Sequence, residues 1–168
     1  MNTKKVILPA LMGLLIWAAC AKDKDQTTLR IRMTDGPGDY QQVNVDIREI
    51  RVKTSDDADN WLLLPTNAGI YNLLDFQNGI DTLIASGIVP AATLKEVRFL
   101  LGPNNSIMVD SILHPLETPS AEESGLKIKI DQDLGLNINT IVLDFDADLS
   151  ILQTGNGDYK LKPVIKLK

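Results

Sequence analysis

The stretch VNVDIREIRVK, residues 43–53, decides the fold. Val43, Val45 and Ile47 alternate with polar residues, and Ile50 and Val52 then resume the alternation one place out of phase. Successive side chains of an extended chain point to opposite faces, so a period of two marks a strand with one buried face. A slip of one residue would turn the second half inside out. One extra residue bulged from the ladder repairs the phase, and the sequence predicts that bulge at Arg48–Glu49.

The same alternation spreads outward. Leu29, Ile31 and Met33 face one way, while Arg30, Arg32 and Thr34 face the other. Further strands are expected at Trp61–Leu64, Leu94–Leu101, Ser106–Asp110, Leu126–Asp131, Thr140–Leu152 and Tyr159–Leu167. Gly, Pro, Asn and Asp fill the gaps, as in Gly102-Pro103-Asn104-Asn105. Between them, IYNLLDFQNGIDTLIAS (residues 70–86) reads either way, as a short helical turn plus a strand. Many short strands with turn signals predict an all-β protein, an antiparallel β-sandwich with at most one short helix.

The C-terminal part predicts a hairpin register. Leu143, Phe145, Ala147, Leu149 and Ile151 are candidate inward residues, as are Tyr159, Leu161, Pro163, Ile165 and Leu167. All are odd-numbered, so facing residues must pair odd with odd. A three-residue loop, Gly155-Asn156-Gly157, satisfies this, with Gly157 in the left-handed conformation. That register sets Asp146 opposite Lys166 and Asp144 opposite Lys168. Pro163 has no amide hydrogen to give a ladder, so its strand belongs at an edge or has that site facing away from its partner.

The chain has 168 residues and a formal charge of −5. Lys4 and Lys5 precede an apolar run from Val6 to Trp17, then Ala18, Ala19 and Cys20. A basic start, a short apolar run and small residues at a cut site make a secretory signal, and the run is too short to span a bilayer. Cleavage before the single cysteine resembles the bacterial lipoprotein signal, in which that cysteine is acylated. The expected organisation is a signal peptide over 1–19, a lipidated tether over 20–27 and one sandwich domain over 28–168. The tether sequence AKDKDQTT loosely resembles charged export signals that send lipoproteins to the outer-membrane surface of Gram-negative bacteria. An acidic chain with no basic run argues against nucleic acid as a partner. With Cys20 acylated no thiol is left for a disulfide or a metal, and His114 is the only histidine.

Several constellations invite chemistry. TDGPGDY, residues 34–40, sets Asp35 and Asp39 around Gly36-Pro37-Gly38 and offers oxygens to a calcium ion. Asp and Gly are also ordinary turn residues, and the turn is the favoured reading. No metal or other cofactor is expected, with Ca²⁺ at Asp35 and Asp39 as the exception to test. Asp144, Asp146 and Asp148 are read as a solvated strand face, His114 as a loop or strand-end residue without a catalytic partner, and Trp61 as core. Glu122 and Glu123 lie in a turn-rich loop and nominate no glycosidase pair. Asp81-Thr82-Leu83 and Asp110-Ser111-Ile112 resemble the three-residue acceptor of bacterial O-glycosylation, with Thr82 and Ser111 as the acceptors.

Four blocks together resemble one family: LRIRMTDGPGDYQQVNVDIREIRV, NLLDFQNGIDTLIASGIVPAATLKEVRFLLG, TPSAEESGLKIKID and IVLDFDADLSILQTGNGDYKLKPVIKL. They are similar, in order and over nearly the whole mature chain, to an uncharacterised family of bacterial lipoproteins, a domain of unknown function. The resemblance implies an extracytoplasmic sandwich of immunoglobulin- or prealbumin-like Greek-key type and brings no catalytic residues. The expected function is therefore a non-enzymatic, lipid-anchored binding or accessory module in the cell envelope of a Gram-negative bacterium, at the outer membrane. A glycan or a partner protein is its expected ligand. A structural or adhesive subunit assembling by strand addition is the alternative, and a carboxylate-based enzyme comes third.

Overall fold

In β2 (Gln42–Lys53), Val43, Val45, Ile47, Ile50 and Val52 are all buried. Ile47 faces Leu101 and Glu49 faces Leu100 in β6 (Thr93–Leu101), so Arg48 is the extra residue and the expected bulge is present. The protein is described here from a computed structural model covering residues 25–36, 38–118 and 124–168. The expected signal peptide, Cys20, most of the expected tether, Pro37, Glu122 and Glu123 lie outside the described residues.

Two sheets share one core. The smaller has the order β13-β10-β1-β5, from β1 (Gln26–Thr34), β5 (Thr82–Pro90), β10 (Asn139–Phe145) and β13 (Ile165–Leu167). The larger runs β11-β12-β8-β7-β2-β6-β9 and includes β7 (Ser106–Val109), β8 (Ile112–Glu117), β9 (Leu126–Asp133), β11 (Ile151–Gln153) and β12 (Tyr159–Leu161). Two short strands, β3 (Leu62–Leu64) and β4 (Gly69–Asn72), also pair with β2. Asn44 pairs with both Asn72 and Ser106, and Ile50 with both Leu64 and Phe99. Hence β3 and β4 line one edge of β2, and β6 and β7 line the other. The fold is the expected all-β sandwich, but its sheets are mixed rather than purely antiparallel, because β1 runs parallel to β10 and β12 parallel to β8.

The ambiguous stretch resolves as β4, a 3-10 turn over Leu73–Phe76 and then β5. β1 starts at Gln26, two residues into the expected tether, with Gln26 facing Pro90 and Thr27 facing Val89. Trp61 is half-buried and falls outside the core, which corrects its expected place.

Where β6 gives way to β7, a polar knot replaces the ladder. The Gly102 amide donates to the Asp46 carbonyl (2.7 Å), and the Asp46 amide donates to Asn105 Oδ1 (2.8 Å). Asp46 is buried, and its Oδ2 accepts from Arg48 Nη2 (2.7 Å), from Asn104 Nδ2 (3.1 Å) and from the Asn104 amide (3.3 Å). Buried polar groups hold their place only when paired in this way. A Cβ on Gly102 would stand 2.7 Å from Asp46 Cγ, so only glycine fits there.

The C-terminal segment departs most from expectation. The strand expected over Thr140–Leu152 breaks at α1 (Ala147–Ser150), one helical turn. Asp146 caps it, its carboxylate accepting from the Leu149 amide (2.9 Å). β11 and β12 keep the expected register, Ile151 facing Leu161, and Gly157 has φ +88°. Beyond α1 the register moves by two: Asp144 faces Lys166 and Leu143 faces Leu167. Odd still pairs with odd, but Asp146 meets Lys166 only diagonally, Nζ to Oδ2 3.9 Å. Leu149 and Leu167, expected inward, are exposed. The strand expected over Tyr159–Leu167 is broken: Pro163 lies in no ladder, between β12, which sits inside the larger sheet, and β13, which is an edge of the smaller one.

Candidate functional site

The Asp35 loop is a structural corner. Asp35 is buried; its amide donates to the Phe76 carbonyl (3.0 Å), its Oδ1 accepts from the Ala147 amide (2.9 Å) and its Oδ2 from Gln77 Nε2 (3.1 Å). It thereby ties the end of β1 to the 3-10 turn and to the first amide of α1, one of the orphan donors of a helix start. Burial raises the Asp35 pKa above the ordinary aspartate range. The Ala147 and Gln77 hydrogen bonds oppose the rise, and the charges of Asp144 and Asp146 add to it. Asp39 is exposed. Among the described residues no three His, Cys, Asp or Glu gather as metal ligands.

A second place emerges on the outer face of the larger sheet. Register sets Arg51, Arg98 and Lys127 abreast on β2, β6 and β9. The next row sets Lys53, Glu96 and Lys129 abreast. Like charges directly opposite each other destabilise a sheet, so the first row is held against its own repulsion. Arg51 is partly neutralised by Glu49, with Nη2 to Oε2 at 2.6 Å. The Arg98 guanidinium carbon lies 4.0 Å from the Trp61 ring centroid, and Lys53 Nζ lies 6.0 Å from it. Cation–π contact holds such a stack by about 0.5–2 kcal/mol. Arg98 Nε is buried with no hydrogen-bond partner among the described residues. Leu63, paired with Arg51 and exposed, leads into a groove of about 340 Å³ lined by Arg48, Glu49, Leu63, Leu64, Pro65 and Thr66.

The remaining candidates are dispersed. The His114 ring packs 5.1 Å from that of Tyr159, over a cleft of about 50 Å³ shared with Pro115, Glu117 and Asp158. Thr82 is half-buried at the start of β5. Ser111 is exposed on the two-residue β7–β8 turn, where Asp110 and Ser111 have φ +50° and +63°. Positive φ at both central residues is the hairpin geometry that matches strand twist. Asp144 lies in β10, while Asp146 and Asp148 belong to the cap and first turn of α1, so the three do not form one strand face. Of the candidates read from the sequence, Asp144 and Asp146 come close enough to Asp35 to raise its pKa, and among the described residues they form no metal-ligating group with it. The structure gathers residues that sequence reading passed over: Arg51, Lys53, Arg98, Lys127 and Lys129.

No curated protein and no solved structure matches the chain. A family model described as Domain of unknown function (DUF4382) matches residues 26–163. The match begins with the first residue of β1 and ends at Pro163 between β12 and β13, so it takes in strands of both sheets and the cationic rows. The chain therefore belongs to the DUF4382 family, a domain of unknown function.

Proposed function

We propose that this protein is a lipid-anchored component of the Gram-negative cell envelope, held through Cys20, whose sandwich is a non-catalytic binding module for an anionic glycan. One observation carries the ligand class: the row Arg51–Arg98–Lys127, gathered from three strands of an acidic chain, with Arg98 stacked against Trp61. A guanidinium meets carboxylate or phosphate with paired hydrogen bonds, and a bound anion relieves the repulsion along the row. The adjoining groove, floored by Leu63 and Pro65, offers the apolar ledge that a sugar ring needs. A sheet face suits this reading better than strand addition. β13 is only three residues long, β9 carries Lys127 and Lys129, and Thr66 pairs with Ala85 on the outer edge of β5. Short, charged or covered edges resist pairing with another chain.

The test is binding of the mature protein to immobilised anionic and neutral glycans, with and without calcium. Retention on the anionic set is expected, weakening as salt screens the charges and weakened again by Lys127→Glu. Absence of retention in every arm refutes the binding module, whereas retention only with calcium moves the site to Asp35 and Asp39. Labelled fatty acid is expected on the wild type and not on Cys20→Ala; equal labelling refutes the anchor.

A further inference from the structure

At the end of the sandwich where β1 begins, one loop buries Leu134 but turns its other two large apolar side chains out. β9 ends at Asp133 and β10 starts at Asn139, and the turn between them carries Leu136 and Ile138, 67% and 57% exposed. At its end, the Asn139 side chain turns in toward the backbone of the turn and toward buried Thr27. Asn139 Nδ2 donates to the carbonyls of Asn137 (2.7 Å) and Gly135 (3.0 Å) and to Thr27 Oγ1 (2.9 Å), while its Oδ1 accepts from the Gly135 amide (3.1 Å). Thr27 Oγ1 in turn donates to the Asn137 carbonyl. This network fixes the turn from within and holds the two apolar side chains out. Ile88, 70% exposed and facing Thr28 across the β1–β5 ladder, completes the surface. The three line one open groove of about 380 Å³ with Gln26, Thr27 and Thr28.

We propose that this apolar end, Ile88, Leu136 and Ile138, seats in the headgroup boundary of the bilayer that holds the anchor. The inference rests on acylation of Cys20. Asp25 follows Cys20 by five residues, a reach of no more than about 18 Å even fully stretched. The Asp25 carbonyl is itself pinned by the Ala91 amide (2.8 Å) on the turn between β5 and β6. Of the two ends of β1, the one bearing the exposed apolar groups is therefore the one kept beside the lipid. Apolar side chains at such a boundary sink by about 5–10 Å. The neighbouring carboxylates Asp25 and Asp133 give anionic headgroups nothing to attract, so the contact is apolar and zwitterionic lipid suffices.

The experiment places one thiol-reactive, polarity-sensitive fluorophore on the processed full-length protein in phosphatidylcholine vesicles, with or without brominated acyl chains. Acylated Cys20 offers no free thiol, so the wild type should float with the vesicles and take no label. Leu136→Cys should take label, emit further to the blue than Leu149→Cys, and be quenched by brominated lipid where Leu149→Cys is not. Leu149, on α1 at the far end of β10, serves as the exposed control. Flotation with equal emission and equal quenching at the two positions overturns the docking while leaving the anchor standing. A wild type that takes label at Cys20 and fails to float overturns the anchor, and the docking falls with it.

Discussion

Asp46 and Asp35 are both buried carboxylates, one in the knot between β6 and β7 and one at the corner between β1 and α1. Asp46 faces a guanidinium, the Arg48 Nη2 at 2.7 Å, and both nitrogens of Asn104. Among the described residues Asp35 has only neutral donors, the Ala147 amide and Gln77, with the charges of Asp144 and Asp146 close by. Burying a charge is unfavourable unless its partners offset the lost water. The first site meets that condition with an opposite charge. The second meets it in part, and its raised pKa registers the shortfall.

The comparison can be broken most forcefully at Gly102. Gly102→Ala drives a methyl group into Asp46 and Arg48, and unfolding in urea should show a loss of about 3 kcal/mol. A loss below a few tenths would mean the knot yields without penalty. Asp46→Ala comes next: it removes the acceptor that ties Arg48 and Asn104 to β2, and because both donors can turn to water the loss of stability should be about 1 kcal/mol.

Asp35→Asn sharpens the contrast through pH. A carboxyl whose folded pKa lies above its unfolded value binds more protons in the native state between the two. Its contribution to stability is therefore present at acid pH and falls as pH rises from the ordinary aspartate range through the raised folded value. The variant should lack that downward step, so wild-type and variant urea midpoints should converge or cross on going from acid to neutral pH. Parallel profiles would remove Asp35 as the source. The smallest effect belongs to the solvent-facing row. Lys127→Glu places an opposite charge beside Arg98 and should raise stability by about 0.2–1 kcal/mol while weakening retention on anionic glycans.

How much of this was legible depends on which interactions are local. β2 could be read because its alternation and its slip both lie within twelve residues, and Arg48 bulges as the phase requires. The C-terminal hairpin was legible in parity but not in offset. Phe145, Ala147 and Ile151 keep the odd spacing of a strand, and the capping signal of Asp146, followed three residues on by Leu149, hides inside that pattern. The parallel pairing of β1 with β10 joins residues more than a hundred places apart, such as Ile31 and Ile141, and no short-range signal announces it. The cationic rows were half legible. Each strand displays basic residues on its outer side, but only register sets Arg51, Arg98 and Lys127 in line. Trp61 was misplaced because an apolar run follows it, whereas its ring is covered by Arg98 rather than by core.

The position of β1 has a mechanical consequence. It lies between β5 and β10, bonded along both sides, with its first residue at the rim of the sandwich. Ladder hydrogen bonds lie across the strand direction. A tug on the chain ahead of Gln26 therefore runs along the strand and strains both ladders in shear, many bonds at once, rather than unzipping them singly. Drag on the domain would be borne by the strand best placed to resist it.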